Sequence, residues 1–258
     1  PIVYAGQALE IRSRAVPSNK MVCTVLAAYN TTLKVSVSSV GGSGTYTDWS
    51  VMAKYRIIVA PKASGENASI TVKNANTALP ITCFTLNEGK KATDAMVAAG
   101  NSTTYPAAWW CHNLNIGGKT DWYLPARDEF ELIWRNLKPT ADNNYVSNTR
   151  PAAPTNTYLR FGAANDTDTN SGENPNSIPI GAAYTTTVPA QVAAGKNFRT
   201  GESEALNYVP TTSGYKTSSD YDTTTAWQGY TNASSPGYEG TTNKSTARYI
   251  RAVRRSII

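Results

Sequence analysis

Few residues in this chain could make or break a covalent bond, and their spacing argues against it. The single histidine, His112, follows Cys111. Neighbours on a helix point about 100° apart, so this pair cannot act as nucleophile and base. A Ser-His-Asp triad would have to use the same histidine, which carries no supporting motif. The three cysteines, Cys23, Cys83 and Cys111, are dispersed and odd in number. They form no C-x-x-C pair and no zinc site, allow at most one disulfide, and read as buried free thiols made in a reducing cytosol. Carboxylates occur without a glycosidase pattern. The metal chemistry on offer is calcium, at Asp166, Asp168 and Asn170, where oxygen ligands alternate as in a calcium loop. The glycine, Gly172, comes one residue late for an EF-hand and no Glu stands at the twelfth position, so an Asx-rich turn is the preferred reading. The sequence reads as a non-enzyme without a cofactor.

Recognition chemistry is better represented. From Thr211 through Ala247 there is no Ile, Leu, Val, Met or Phe, yet Tyr215, Tyr221, Trp227, Tyr230 and Tyr238 stand among Ser, Thr, Asn and Gly. Tyrosine supplies amphipathic contact area at low entropic cost, and small polar residues adapt their hydrogen bonds, as in evolved binding surfaces. The expected binding set is Tyr215, Lys216, Tyr221, Gln228, Tyr230, Asn232, Tyr238 and Asn243. Trp227 reads instead as a core residue. Of the C-terminal arginines, Arg251 or Arg254 is expected to pair with Asp128 or Glu129 and lock the last strand to a helix.

Those residues need a scaffold, and the spacing supplies one. Ala107, Trp110, Cys111 and Leu114 recur at helical intervals within Pro106 to Leu114, as do Phe130, Ile133, Trp134 and Leu137 within Ala126 to Leu137. Pro125 stands where a first-turn proline would start the second helix, and Asp128 and Glu129 fall where the helix dipole favours negative charge. Gly117-Gly118 is expected to stop the first helix, and Asp121-Trp122-Tyr123-Leu124 reads as a short extended link. Ala92 to Ala99 reads as a helix stopped by Gly100, Ile81 to Phe84 as a strand, and Phe198 to Leu206 as a helical turn. Upstream, Met21 to Leu26 and Leu33 to Val37 form a hairpin, Asp48 to Val51 opens another strand, and Ser69 to Val72 is a short β run. Domains are expected at 1–72 (β-rich attachment or stalk module) and 81–258, joined by a linker at 73–80.

At 258 residues, with 40% hydrophobic and 16% charged residues, the chain can bury a core unaided. Its net charge of +6 is scattered, without a basic run or nucleic-acid motif, so a polynucleotide partner is not expected. No signal-peptide pattern and no long apolar run stand in the sequence, so membrane insertion is not expected either.

Residues 107–137 resemble the signature of the Lcl-type C-terminal domain family of collagen-like bacterial adhesins and phage tail proteins. The match runs through Trp109-Trp110-Cys111-His112-Asn113-Leu114, Gly117-Gly118, Asp121-Trp122-Tyr123-Leu124-Pro125 and Arg127-Asp128-Glu129-Phe130-Glu131-Leu132. Lys216 to Tyr221 with Ala226-Trp227, Asn243-Lys244, and Arg248 to Arg255 are similar to the family's later segments. Lys216, Thr217 and Asp220 depart from its usual Trp, Ser and Glu, and Ala252 stands where some relatives have a cysteine. Pro175 to Thr185 is similar to a loop of phage members. Gly6 to Ile11, Thr32 to Val35 and Gly42 to Trp49 resemble a small β module of phage tail and virion proteins.

The resemblance implies an α+β chain, with a small all-β module followed by a C-type-lectin-like domain of two helices and long loops. Trp110, Asp121, Trp122, Leu124, Pro125, Glu129, Trp227, Arg251 and Arg254 would be scaffold. It further implies a phage tail-fibre or tail-tip adhesin on the virion exterior, made in the host cytoplasm and, by analogy with fibres, assembled as a trimer. Its partners would be a bacterial surface glycan or protein receptor and, through the first module, other virion subunits. A structural virion protein (capsid decoration or collar) and a bacterial surface adhesin are the alternatives.

Overall fold

The computed structural model describes residues 8–13, 19–28, 33–43, 49–53, 55–140, 196–208, 214–231 and 239–257. The chain is mixed α and β and divides into two compact units: Pro1–Ile58 with Arg255–Ile258, and Val59–Arg254.

The first unit is built on four antiparallel strands, β1 (Ala8–Ser13), β2 (Lys20–Ala28), β3 (Leu33–Gly41) and β4 (Trp49–Ala53), in the order β3-β2-β1-β4. Alternation sets its register. Leu9 lies opposite Cys23, and Val25 opposite Val35, so one face gathers Leu9, Cys23 and Val25 as a buried cluster flanked by Ile11, Met21 and Val35. The expected hairpin pairing of β2 with β3 is present, and the described residues up to 58 form strands, while the expected all-β stretch to residue 72 also holds one helical turn, at Lys62–Gly65. Strand β5 (Tyr55–Val59) then leads out of the unit.

In the second unit a single helical turn, α1 (Lys62–Gly65), precedes β6 (Glu66–Ile70). Farther on come α2 (Gly89–Ala99), α3 (Pro106–His112) and α4 (Arg127–Leu137), then β7 (Gly214–Asp220), β8 (Thr225–Tyr230), β9 (Glu239–Asn243) and β10 (Arg248–Arg251). The strands form a sheet in the order β6-β10-β7-β8-β9, with only the β10–β7 pair parallel. Strand β11 (Val253–Ile257) pairs with β5, and Arg255–Ile258 belongs to the first unit. The two compact units divide between residues 58 and 59, whereas the linker was expected at 73–80. The β run near Ser69 begins earlier, at Glu66, and is a sheet strand of the second unit because it finds its hydrogen-bonding partner in β10.

The expected amphipathic helices form. Ala107 and Cys111 of α3 join Val72, Leu79, Cys83, Ala92, Met96, Trp122, Leu124 and Ile250 in the main core, with Trp110 and Leu114 packed at its margin. Phe130, Ile133 and Trp134 of α4 are buried. Three local expectations are corrected. Ile81–Phe84 is a 3-10 turn, not a strand, because the turn buries Cys83 while its Sγ donates to Ala92 O (3.6 Å). Gly117 and Gly118 do not stop α3, which ends at His112; both have positive φ and make the turn that joins Ile116 to Lys119. Pro125 lies before the Ala126 N-cap rather than inside the first turn of α4, since that helix starts at Arg127. The 3-10 segment in this region is Lys196–Phe198, ahead of the helical turn expected over Phe198 to Leu206, which runs as bends and turns.

Candidate functional site

The first part of the segment expected to display residues, β7, is instead the centre of the sheet. All seven residues of β7 are buried, although six of them, Tyr215 to Asp220, carry polar groups. A doubly covered strand normally reads as an apolar run. Here most of the polar side chains survive burial because they take hold of a neighbouring segment, while the buried Ser218 Oγ has no hydrogen-bond partner among the described residues. Tyr215 stacks on Phe130 with 5.3 Å between ring centroids, donates its hydroxyl to Glu66 Oε2 (2.5 Å) and accepts the Asn207 N–H (2.8 Å). Burial and the Glu66 carboxylate hold that phenol well above its ordinary pKa. Thr217 Oγ1 donates to Trp227 O (2.9 Å). Ser219 Oγ donates to Thr85 O (2.8 Å) and accepts the Arg127 N–H (3.0 Å).

That last bond is part of how α4 starts without a capping side chain. Ala126 donates its N–H to Glu129 Oε2 (2.9 Å), and Asp128 donates its own to Leu86 O (2.8 Å), so the first amides are satisfied from three directions. Gly89 makes room for this, because a Cβ there would stand 2.3 Å from Glu129 Oε2. The Glu129 carboxylate also accepts the Tyr123 hydroxyl at 2.9 Å.

Asp220 and Lys244 form an ion pair at 2.7 Å with both side chains wholly buried. Asp220 also accepts the Leu79 N–H (3.1 Å). Lys244 Nζ donates to Asp222 O (2.6 Å), Thr223 O (2.9 Å) and Thr77 O (3.3 Å) as well. Desolvation raises the Asp220 pKa in spite of the opposing pull of Lys244. Lys216 is buried too. Its Nζ donates to Thr242 O (3.1 Å) and Asn243 O (2.8 Å). Burial first, then the charges of Arg248 and Lys244, pull it down to about 7.

The binding set is thus corrected at Tyr215, Lys216 and Gln228, all buried. Their side chains serve the interior because β7 and β8 are covered strands. Tyr221 and Tyr230 are half-buried, the former edge-on to Trp227 at 5.0 Å, and Asn243 is exposed. Asn232 and Tyr238 lie outside the described residues, as do Asp166, Asp168 and Asn170. Among the described residues no group of three or more His, Cys, Asp or Glu could hold a metal ion.

The scaffold set is placed as follows. Trp227 is buried, with the Arg127 guanidinium 4.6 Å from its ring centroid. Trp122, Leu124, Pro125 and Glu129 are buried, Trp110 is half-buried, and Trp122 Nε1 donates to Lys119 O (2.9 Å). The expected arginine pairing is corrected. Arg251 pairs with Glu66 (3.1 Å) and Glu204 (2.6 Å) and donates through Nε to Ala60 O (2.7 Å). Arg254 pairs with Asp121 (2.7 Å), whose carboxyl is held low chiefly by that hydrogen bond. Asp128 and Glu129 are already engaged at the head of α4, which leaves the arginines to other carboxylates.

Sequence reasoning assigned no site role to Glu66, Glu204, Asp220 or Lys244. The signal open to it was a charge inside or beside a strand-like run, which has to be paired if the strand is central. Sequence separation hides the partner. Comparison with protein-family models, curated proteins and solved structures finds no match to this chain.

Proposed function

We propose that this chain is a phage tail-fibre or tail-tip adhesin, whose second unit is a C-type-lectin-like head that binds a host bacterial surface receptor without covalent chemistry. The observation that carries the reading is the clasp at the ends of that unit. Ala60 N–H donates to Ala252 O (2.9 Å), Ala252 N–H donates to Gly65 O (2.9 Å), and β6 runs antiparallel to β10. Entry and exit of the unit are thereby joined, as suits a head carried by an attachment module. Rigid polar packing under short Thr-, Asn- and Ser-rich turns supports the same reading, since recognition is commonly carried by loops on a fixed scaffold. In this reading the first unit attaches to the virion exterior, and several copies, three by analogy with fibres, add avidity. The lectin-like fold and the phage assignment rest on the resemblance of residues 107–137 and of the last strands, and fold alone carries function only by analogy.

A structural virion protein is the second reading, favoured by apolar side chains left open in the first unit: Val40 is 68% exposed and Leu26 51%. Incubating purified chain with bacterial cell envelopes and, separately, with virion subunits separates the two. Saturable retention on envelopes supports the adhesin, and retention on subunits alone supports the structural protein.

A further inference from the structure

The described surface of the second unit carries one place where three separate turns are fused into a single polar platform. The turns are residues 74–78, 221–225 and 243–246. Lys244 is the rivet. From beneath, its Nζ reaches carbonyls of the first two turns, Thr77 O, Asp222 O and Thr223 O, while Asp220 balances its charge. Its backbone completes the join. The Lys244 N–H donates to Thr224 O (3.1 Å), and Lys244 O accepts the N–H groups of Val72 (3.2 Å) and Lys73 (3.4 Å). Asn76 Oδ1 accepts the Ser245 N–H (3.0 Å), tying the first turn to the third. Asp222 Oδ1 accepts the N–H groups of Thr224 (2.7 Å) and Thr225 (2.6 Å) and so fixes the second.

The outer side of this assembly is hydrophilic and nearly free of charge. Asn76, Thr77, Asp222, Thr223, Thr224 and Asn243 are exposed. The flanking cations are engaged with backbone carbonyls: Lys73 Nζ donates to Ala78 O, at an exposed site on the first turn, and half-buried Arg248 donates to Ala247 O. The one exposed carboxylate, Asp222, is spent on its own turn. What remains outward is hydroxyl and amide groups on backbone held from within, so little freedom is lost on binding. Such groups match a neutral polyhydroxylated ligand by hydrogen bonding. An anionic ligand would have to draw Lys73 or Arg248 away from the carbonyls that they already hold.

We propose that this three-turn platform is the receptor-contact surface of the head and that its ligand is a neutral bacterial surface glycan. The proposal rests on the adhesin reading and gives it a location, in part on residues 74–78, and a chemical class.

The test is binding of the full chain to a panel of bacterial strains, with Thr77→Arg and Thr223→Arg compared with wild type. Both side chains point away from the core, and thermal melting checks that each variant is folded. Lys91→Glu on α2, also exposed, is the control. A loss of about tenfold or more in cell binding for both platform variants, with wild-type melting and a silent control, is expected. Unchanged binding by both variants overturns the platform while leaving the adhesin reading standing. Periodate treatment of a bound strain should abolish binding and protease treatment should not; the reverse pattern overturns the glycan. A folded wild type that binds no strain overturns both the adhesin reading and this proposal.

Discussion

Lys244 Nζ stands 2.7 Å from Asp220 Oδ1, and neither side chain has any exposed surface. Two opposite charges taken out of water in this way are costly to separate, because removing one leaves the other buried and uncompensated. Lys244→Met should therefore destabilise the second unit by about 3 to 5 kcal/mol in denaturant unfolding. Removing both charges, as Lys244→Met with Asp220→Leu, should cost less than the single change. A single change no worse than the double one would mean the pair is not coupled.

Lys216 gives a pH dependence of known sign. Its folded pKa, about 7, lies below the ordinary 10.5. Between those values the unfolded chain binds more protons than the folded one, so stability rises with pH. Burial raises the thiols of Cys83 and Cys111, which works in the opposite direction as the unfolded thiols ionise, from about pH 9 upward. The clean window is pH 7 to about 9. Wild type should gain stability across it, and Lys216→Met should lose that slope; equal slopes would refute the assignment.

The two arginines near the end of the chain should behave differently. The Arg251 side chain is fully buried and serves Glu66, Glu204 and Ala60 O together. Arg251→Ala should cost about 3 kcal/mol or more. Arg254 pairs with Asp121, whose side chain is 46% exposed, and solvent screens that pair. Arg254→Ala should cost less than about 1 kcal/mol. Chemical denaturation of both variants checks the ordering.

Gly229 lies where a Cβ would come within 2.2 Å of the Phe130 ring. Gly229→Ala should destabilise by about 1 to 3 kcal/mol through overpacking. Adding Phe130→Leu should restore part of that loss, measured by the melting temperature of the single and double variants.

Helices α3 and α4 were legible because Ala107 and Cys111 in one, and Phe130, Ile133 and Trp134 in the other, repeat at helical spacing and are buried. The β2–β3 hairpin was legible from alternation. Strand β7 misled because Tyr215, Lys216 and Ser219 have the composition of a surface, while their burial depends on partners that are distant in sequence, such as Glu66, Asn243 and Arg127. Strand β6 was hard to place for the same reason: it is short and polar, and its pairing with β10 puts it in the second unit. Polar composition signals exposure only where no partner waits inside, and sequence does not show who waits.

The most direct measurement of the central claim is flow-cytometric binding of labelled, folded full-length chain to a panel of bacterial strains, with unlabelled chain as competitor. The adhesin account predicts saturable, competed binding that is strong on some strains and absent on others. Uniform binding across all strains, or none on any, would contradict it.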